Sequence, residues 1–331
     1  MTRRDGLIED FLARSGWNGA ERGKLAGDAS FRRYDRLARK GERAVLMDAP
    51  PPQEDVRPFL AIARHLTGLG YSAPRILAAD EDAGLLLLED LGDDTYTRLL
   101  ARGHDEKALY ALAVDVLADL HGRGGAAIPQ GLPLYDEDRL LTEALLLTDW
   151  YMPAVLGQET DPAAREEYIA RWRQVLPQAR RVPDTIVLRD FHVDNLMLLD
   201  RPGLAACGLL DFQDAVAGPV TYDLMSLLED ARRDIDPALI AGMKARYLAA
   251  LPAIAQDDFE ASWAVLAAQR HAKVIGIFTR LSRRDGKPLY LGHIPRVWRL
   301  FDNALAHPAL APVAEWLERH MPPHARKVPT P

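Results

Sequence analysis

A chain of 331 residues has room for two lobes, each with its own core, and an apolar share of 48% is that of an ordinary globular protein. A formal charge of -7 with no long Lys/Arg block argues against a nucleic-acid surface. No apolar run approaches the roughly 20 residues of a membrane span, no apolar stretch of a signal peptide follows the first six residues, and the lone Cys207 excludes an intramolecular disulfide and fits a reducing cytoplasm.

In chain order, residues 7–15 read as a short amphipathic helix ending before Gly16. Residues 24–34 place small residues between strand-like flanks. This predicts a hairpin whose tip, Gly27, Asp28, Ala29 and Ser30, turns backbone N–H groups toward phosphate oxygens. A plain surface hairpin has the same pattern. Residues 44–47 form a third strand, stopped by Pro50, Pro51 and Pro52. A helix over residues 54–66 follows, with Phe59, Leu60, Ala63 and Leu66 on one face and Gly68 and Gly70 closing it. Residues 75–78 and 85–89 read as two more strands. Three strands, a helix and two strands suit a small antiparallel sheet carrying one helix.

The pattern turns helical after Leu91, which places a lobe boundary there: residues 1–91 and 92–331. A helix begins near Asp105, a suitable N-cap, and runs to His121, read as a capping or packing residue. Residues 140–151 and 163–176 are further helices. Trp150 and Tyr151 supply core packing for at least one ring, and the other is available to stack on a sugar.

Residues 187–212 carry the chemistry. A buried strand ends at Leu188, and a polar loop follows. Two apolar runs, 196–199 and 204–210, are joined by a turn at Asp200-Arg201-Pro202-Gly203 and deliver Asp211. With the turn centred near Gly203, Asn195 and Asp211 lie opposite each other, and Asp190 sits in the loop just ahead. An Asn and an Asp on paired strand ends can share a hard cation such as Mg²⁺. A neighbouring carboxylate can orient a hydroxyl and accept its proton. That is a part list for phosphoryl transfer to an alcohol. Any one of these residues alone reads as a solvated turn acid; the ordered set favours catalysis.

Beyond the hairpin, Asp223 caps a helix through Leu228 or braces the catalytic loop, a structural role either way. The last third is helical, with a long amphipathic helix over 261–278. Its Gln269-Arg270-His271-Ala272-Lys273 segment is a solvated face or lines a pocket for an anionic substrate.

The Asp-x-x-x-x-Asn spacing of residues 190–195, with Asp211-Phe212 after it, is similar to the catalytic core of the kinase-like phosphotransferases. Nearly the whole chain resembles the aminoglycoside phosphotransferase and choline kinase superfamily. The resemblance implies an α+β, protein-kinase-like bilobal fold, with a small antiparallel-sheet N-lobe bearing one helix and a larger, mostly helical C-lobe with the catalytic hairpin and acceptor site. It implies Asp190 as base, Asn195 and Asp211 as Mg²⁺ ligands, ATP phosphates under residues 27–30, and adenine met by backbone groups of Glu89 and Leu91. His192 would pack the loop. Residues 27–34, 45–51, 188–196 and 269–278 further resemble the anomeric sugar kinases of bacterial cell-wall recycling. Those enzymes phosphorylate the C1 hydroxyl of N-acetylmuramate and N-acetylglucosamine with ATP. The implied partners are therefore ATP and a small amino sugar, and the protein is expected to be a monomer.

Two positions depart from the superfamily pattern. Leu188 stands where His is usual. Met47 stands where most kinases carry a phosphate-binding Lys, and Phe59 is near the place of the helix Glu that pairs with it. Losing both is self-consistent, because a lone buried Glu is costly. Arg32 or Arg33 is then expected to neutralise phosphate charge. Acceptor candidates are Glu143, Trp150, Asp214, Arg270 and Lys273. Two alternatives stand beside the sugar kinase. One is a kinase for an aminoglycoside, choline or an amino alcohol, against which the cationic helix near Lys273 argues. The other is a nucleotide-binding pseudokinase, favoured by Met47 and disfavoured by the intact Asp190, Asn195 and Asp211.

Overall fold

Among the described residues, nine strands and a run of helices fall into two compact units, Met1–Val116 with Val193–Ala215, and Leu117–His192 with Val216–Pro331. The structure, a computed structural model, describes residues 3–27 and 31–330, with backbone alone at Ala26 and Gly27. Asp28, Ala29 and Ser30, the expected phosphate-loop tip, lie outside the described residues.

The first unit begins with α1 (Arg3–Arg14), then β1 (Glu21–Gly27), β2 (Arg33–Arg39), β3 (Glu42–Asp48), α2 (Arg57–Gly68), β4 (Ile76–Asp80) and β5 (Leu85–Glu89). The strands form one antiparallel sheet in the order β1-β2-β3-β5-β4. Side chains alternate across each strand. Leu37, Ala44, Leu46, Leu85 and Leu87 therefore share a face, and Ile8, Phe11 and Leu12 of α1 pack on it with Trp17. Burying each large side chain contributes roughly 1.5–3 kcal/mol. Tyr34, Val45, Met47 and Leu88 are left on the opposite face. The helix α2 buries Phe59, Leu60, Ala63 and Leu66 as expected. It starts at Arg57 rather than 54, because Asp55 accepts the Arg57 N–H (3.0 Å) and Pro58 fills the first turn.

After α3 (Tyr96–Ala101), α4 (Glu106–Gly122) carries the chain into the second unit, with Asp105 accepting the Ala108 N–H at 3.1 Å. The helix expected over 140–151 is three pieces: α5 (Glu137–Ala144), one π turn over Leu147–Tyr151, and α6 (Met152–Leu156). Pro153 has no N–H for the carbonyl four residues back, so the regular helix cannot continue through it. Tyr151 is buried, and Trp150 is half-buried. α7 (Pro162–Val175) and β6 (Asp184–Val187) follow.

The chain then returns to the first unit for β7 (Leu196–Leu198) and β8 (Cys207–Leu209), an antiparallel pair joined by a short 3₁₀ turn. This hairpin packs with the sheet's connections. Leu209 N–H donates to Ser72 O, Leu198 N–H to Asp94 O (both 2.9 Å), and Arg201 reaches Glu89 (2.7 Å). This division follows packing and is a different one from the functional boundary read after Leu91.

Back in the second unit, β9 (Val216–Pro219) pairs with β6, and α8 (Thr221–Leu228) and α9 (Pro237–Ala250) follow. α10 (Gln256–Asp285) is the axis, 30 residues long and buried through most of its length. Gly276 in it lies against the π turn. A Cβ there would sit 2.3 Å from the Leu146 carbonyl oxygen, so no larger residue fits. α11 (Ile294–Leu305) packs on α10, and α12 (Ala311–His320) packs on α7. The fold class is α+β, as the sequence indicates.

Candidate active site

In the first unit, the sheet face opposite α1 walls a cavity of about 310 Å³. Leu25, Val45, Leu88, Met197 and Leu210 make its apolar sides. Residues 89–92 form one edge, and Asn195 and Asp211 form a polar end. The Glu89 carboxylate is held by Arg75 (3.2 Å) and Arg201 (2.7 Å) and that of Asp90 by Arg36 (2.7 Å), so the other polar atoms of that edge are backbone ones. A flat heterocycle between apolar walls, with phosphates toward the polar end, suits this shape.

The hairpin register is one residue away from that read in the sequence. Leu196 faces Leu209, so the turn is centred between Pro202 and Gly203, and Asn195 faces Leu210. Asp211 lies one residue further on with a left-handed φ of +58°. For a residue with a Cβ that conformation costs about 1–3 kcal/mol, and it concentrates at functional sites. The turned backbone still brings the two polar side chains together: Asn195 Nδ2 is 3.4 Å from Asp211 Oδ2. Gln213, which the sequence did not flag, donates to Asp211 Oδ1 (2.8 Å). One amide and one carboxylate are donors that Mg²⁺ accepts. Among the described residues no group of three or more His, Cys, Asp or Glu could hold a metal. The two-donor set therefore fits an ion whose other ligands are water and phosphate oxygens.

A second recess of about 220 Å³ in this unit is lined by Arg32, Met47, Glu54, Phe59, Gln213 and Asp214, among others. Arg32 Nη2 lies 3.7 Å from Asp211 Oδ1, and its Nε lies 3.8 Å from Glu54 Oε2. Arg33, its neighbour on β2, is exposed and lines neither recess. Met47 is 1% exposed. Phe59 stacks on Phe212 with ring centroids 5.0 Å apart, so α2 meets the Asp211-Phe212 segment through rings.

In the second unit, Asp190 follows Arg189, itself left-handed at φ +70°. Asp223 braces this loop by accepting the Leu188 N–H (2.6 Å) and the Arg189 N–H (2.9 Å). That is the bracing role; the cap of α8 is Val220. Burial pushes the Asp223 carboxyl up to about 7 despite both donors. Asp190 behaves oppositely. Burial works to raise it, but Arg270, Lys273, His192 and Arg189 outweigh burial and hold it below the usual aspartate range. Burial lowers His192 to about 4, with Arg232 adding to it, which keeps the ring neutral near pH 7.

Glu143 sits between the Arg189 and Lys273 cations. It accepts from Arg189, from Tyr135, from Lys273 (2.9 Å) and from Gln269 (3.2 Å). Burial would raise its carboxyl; Lys273 and Arg189 prevail and bring it down to about 2. Gln269 and Lys273 are four apart on α10 and so reach the same partner. Arg270 is buried and donates to Arg189 O and Tyr222 Oη (both 3.2 Å). The 269–273 segment is thus largely buried around the loop, not a solvated face. A hollow of about 340 Å³ opens beside Glu143, Arg189 and Tyr135.

Of the five acceptor candidates, Glu143, Arg270 and Lys273 gather at Arg189 and Asp190. Trp150 lines a different hollow with Asp149 and Arg283, and Asp214 lines the Arg32 recess of the first unit. Besides Gln213, the residues missed in the sequence are Tyr135, eight positions from Glu143, and Arg189, Tyr222 and Glu54, which join these sites through contacts tens of positions away. Only the adjacency of Arg189 to Asp190 hinted at any of them.

The profile of the APH phosphotransferase enzyme family matches residues 23–259. The chain belongs to this phosphotransferase family. An N-acetylmuramate/N-acetylglucosamine kinase of Caulobacter vibrioides is 37% identical to this phosphotransferase over 98% of the chain and 99% of its own length. A Pseudomonas aeruginosa protein of the same name is 40% identical over 95% and 93%. Among solved structures, a choline/ethanolamine kinase family protein from Mesorhizobium loti matches with a TM-score of 0.63 at 14% identity, covering 95% of this chain and 99% of that one. The GDP complex of wild-type aminoglycoside 2′-phosphotransferase-IIIa matches with a TM-score of 0.60 at 14% identity, covering 92% and 99%. The fold is the kinase-like one, and the protein is a phosphotransferase enzyme. Among the described residues no helix is long and apolar enough to cross a membrane.

Proposed function

We propose that this phosphotransferase is an ATP-dependent sugar kinase acting on the C1 hydroxyl of N-acetylmuramate, N-acetylglucosamine or both, in the cytoplasmic recycling of peptidoglycan. The observation that carries the reading is the likeness, over nearly the full length, to relatives that bear the N-acetylmuramate/N-acetylglucosamine kinase name. The apolar cavity with a backbone edge and an Asn195/Asp211 end supports the nucleotide half of it.

In this reading, backbone groups of Glu89 and Leu91 receive the adenine, and residues 27–30 with Arg32 receive the phosphates. Asn195 and Asp211 hold Mg²⁺, which when bound offsets charge on the transferring phosphoryl group. Asp190 orients the sugar hydroxyl and accepts its proton. A depressed pKa keeps Asp190 ionised, which makes it a weak base, and a hemiacetal hydroxyl is acidic enough to need no stronger one. Asp223 and Arg270 fix the loop that carries it.

The charge around Asp190 bears on the rivals. Arg189, Arg270 and Lys273 face the carboxylates of Asp190 and Glu143, and Asp223 is partly protonated near pH 7. Such a site favours a neutral or anionic acceptor, including a lactyl carboxylate, over a cationic aminoglycoside or choline. ADP release measured across amino sugars, aminoglycosides and choline tests the proposal. Turnover with the amino sugars is expected; turnover confined to the cationic acceptors contradicts it.

A further inference from the structure

We infer that Arg32 is the phosphate-binding cation of this chain and that Glu54, on the loop entering α2, is the residue that positions it. The inference rests on the reading of the 310 Å³ cavity as the nucleotide site and adds which side chains meet the terminal phosphates.

Three observations converge. The first is charge. Among the described residues lining the two recesses of the first unit, Arg32 is the one cation. The acids there are Glu89, Asp90, Asp211, Glu54, Asp55 and Asp214, of which Asp55 pairs with Arg57 (3.0 Å). Glu89 and Asp90 are paired away by Arg75, Arg201 and Arg36. Asp211 and Glu54 face Arg32 itself. A triphosphate approaching Asp211 therefore meets net repulsion unless the Arg32 guanidinium is in place.

The second is placement. β3 turns Met47 into the Arg32 recess, where a thioether supplies neither charge nor a donor. The guanidinium reaches the same recess from the residue just ahead of β2, between Glu54 at 3.8 Å and Asp211 at 3.7 Å. Its side chain is 11% exposed, so the charge acts with little screening.

The third is anchoring. Glu54 holds the Phe31-Arg32 segment twice. Its Oε1 accepts the Phe31 N–H (3.1 Å) and its Oε2 faces Arg32 Nε. Phe31 is 68% exposed, so burial of its ring does not hold the segment there. Glu54 is itself tied down by its own N–H to Pro50 O (3.2 Å). A fixed planar fork is suited to bidentate grip on phosphate, and the carboxylate sets its orientation before the ligand arrives.

Calorimetric titration of the full chain with ATP and with AMP, in EDTA and then with Mg²⁺, tests this together with steady-state kinetics. Wild type is expected to bind ATP more tightly than AMP in EDTA. Arg32→Ala is expected to lose ATP affinity at least about tenfold while AMP binding stays within twofold, and Arg32→Lys to recover part of it. Glu54→Gln is expected to weaken ATP about 3–10-fold, raising KM for ATP more than it lowers kcat, and Glu54→Asp to restore most of the loss. Equal losses for ATP and AMP in Arg32→Ala, or wild-type ATP binding in Glu54→Gln, overturn the assignment while leaving the nucleotide site standing. No binding of either nucleotide by folded wild type overturns the cavity reading and the inference with it.

Discussion

The surroundings of Asp211 and of Asp190 are built to different ends. Asp211, in the first unit, keeps 36% of its side chain exposed. It is steadied by neutral amides from Gln213 and Asn195, with one guanidinium at 3.7 Å. Asp190, in the second unit, lies among Arg270, Lys273, His192 and Arg189, on a loop braced from behind by Asp223. A carboxylate that binds an exchanging ion needs access and free lone pairs. One that takes a proton in a single geometry needs a fixed backbone and a field that keeps it ionised until the reaction starts. Both are preceded by, or adopt, a left-handed residue with a Cβ, Arg189 in one case and Asp211 in the other. The other such residue with a Cβ among those described, Lys40, sits in the tight turn between β2 and β3.

The contrast breaks most sharply at Asp190. Asp190→Asn is expected to lower kcat by about 10²–10⁴-fold, the usual worth of a general base, with ATP affinity unchanged in calorimetry. Near-normal turnover removes the base assignment. Asp211→Asn is expected to do the reverse, lowering the Mg²⁺ dependence of nucleotide binding by roughly 100-fold, read as the Mg²⁺ concentration for half-maximal ATP affinity.

A smaller effect separates scaffold from chemistry. Glu143→Gln leaves Arg189 and Lys273 without their common partner, and loss of about 3–5 kcal/mol in denaturant unfolding is expected, as for other broken buried pairs. If Glu143 instead serves the acceptor alone, stability stays put and only the sugar KM moves.

The smallest effect is in pH. Folded Asp223 titrates near 7, above its ordinary value of 3.8. The folded state therefore binds that proton more tightly, and the contribution of Asp223 to stability falls as pH rises from about 4 to about 7, then levels. Glu143 has the opposite sign: with its folded value near 2 it adds stability above about 4.5 that is lost as pH falls toward 2. Calorimetric Tm profiles are expected to show a shallower decline between pH 4 and 7 in Asp223→Asn than in wild type.

Local pattern carried much of this into the sequence. The strand-strand-strand-helix-strand-strand order was legible because β3 and β5 are short apolar runs cut off by Pro50–Pro52 and by the turn at Gly84. The meeting of Asn195 and Asp211 was legible because the two residues flank one hairpin, although half a residue in the turn centre moved Asn195 opposite Leu210. The surroundings of Asp190 were not. Tyr135, Arg189 and Lys273 meet at Glu143, and the Arg189 and Lys273 contacts span 46 and 130 positions, separations no periodicity records. Glu54 was hidden differently: read as the first residue of a helix, it turned out to be a loop residue ahead of α2, free of helical geometry and able to face Arg32.

The most direct measurement of the account is the ³¹P NMR spectrum of the product formed from ATP, Mg²⁺ and N-acetylmuramate, with proton coupling resolved. A phosphorus coupled to the anomeric proton, formed at the rate of ADP release, is the predicted result. Phosphate on another sugar oxygen, or ADP release without any sugar phosphate, contradicts it.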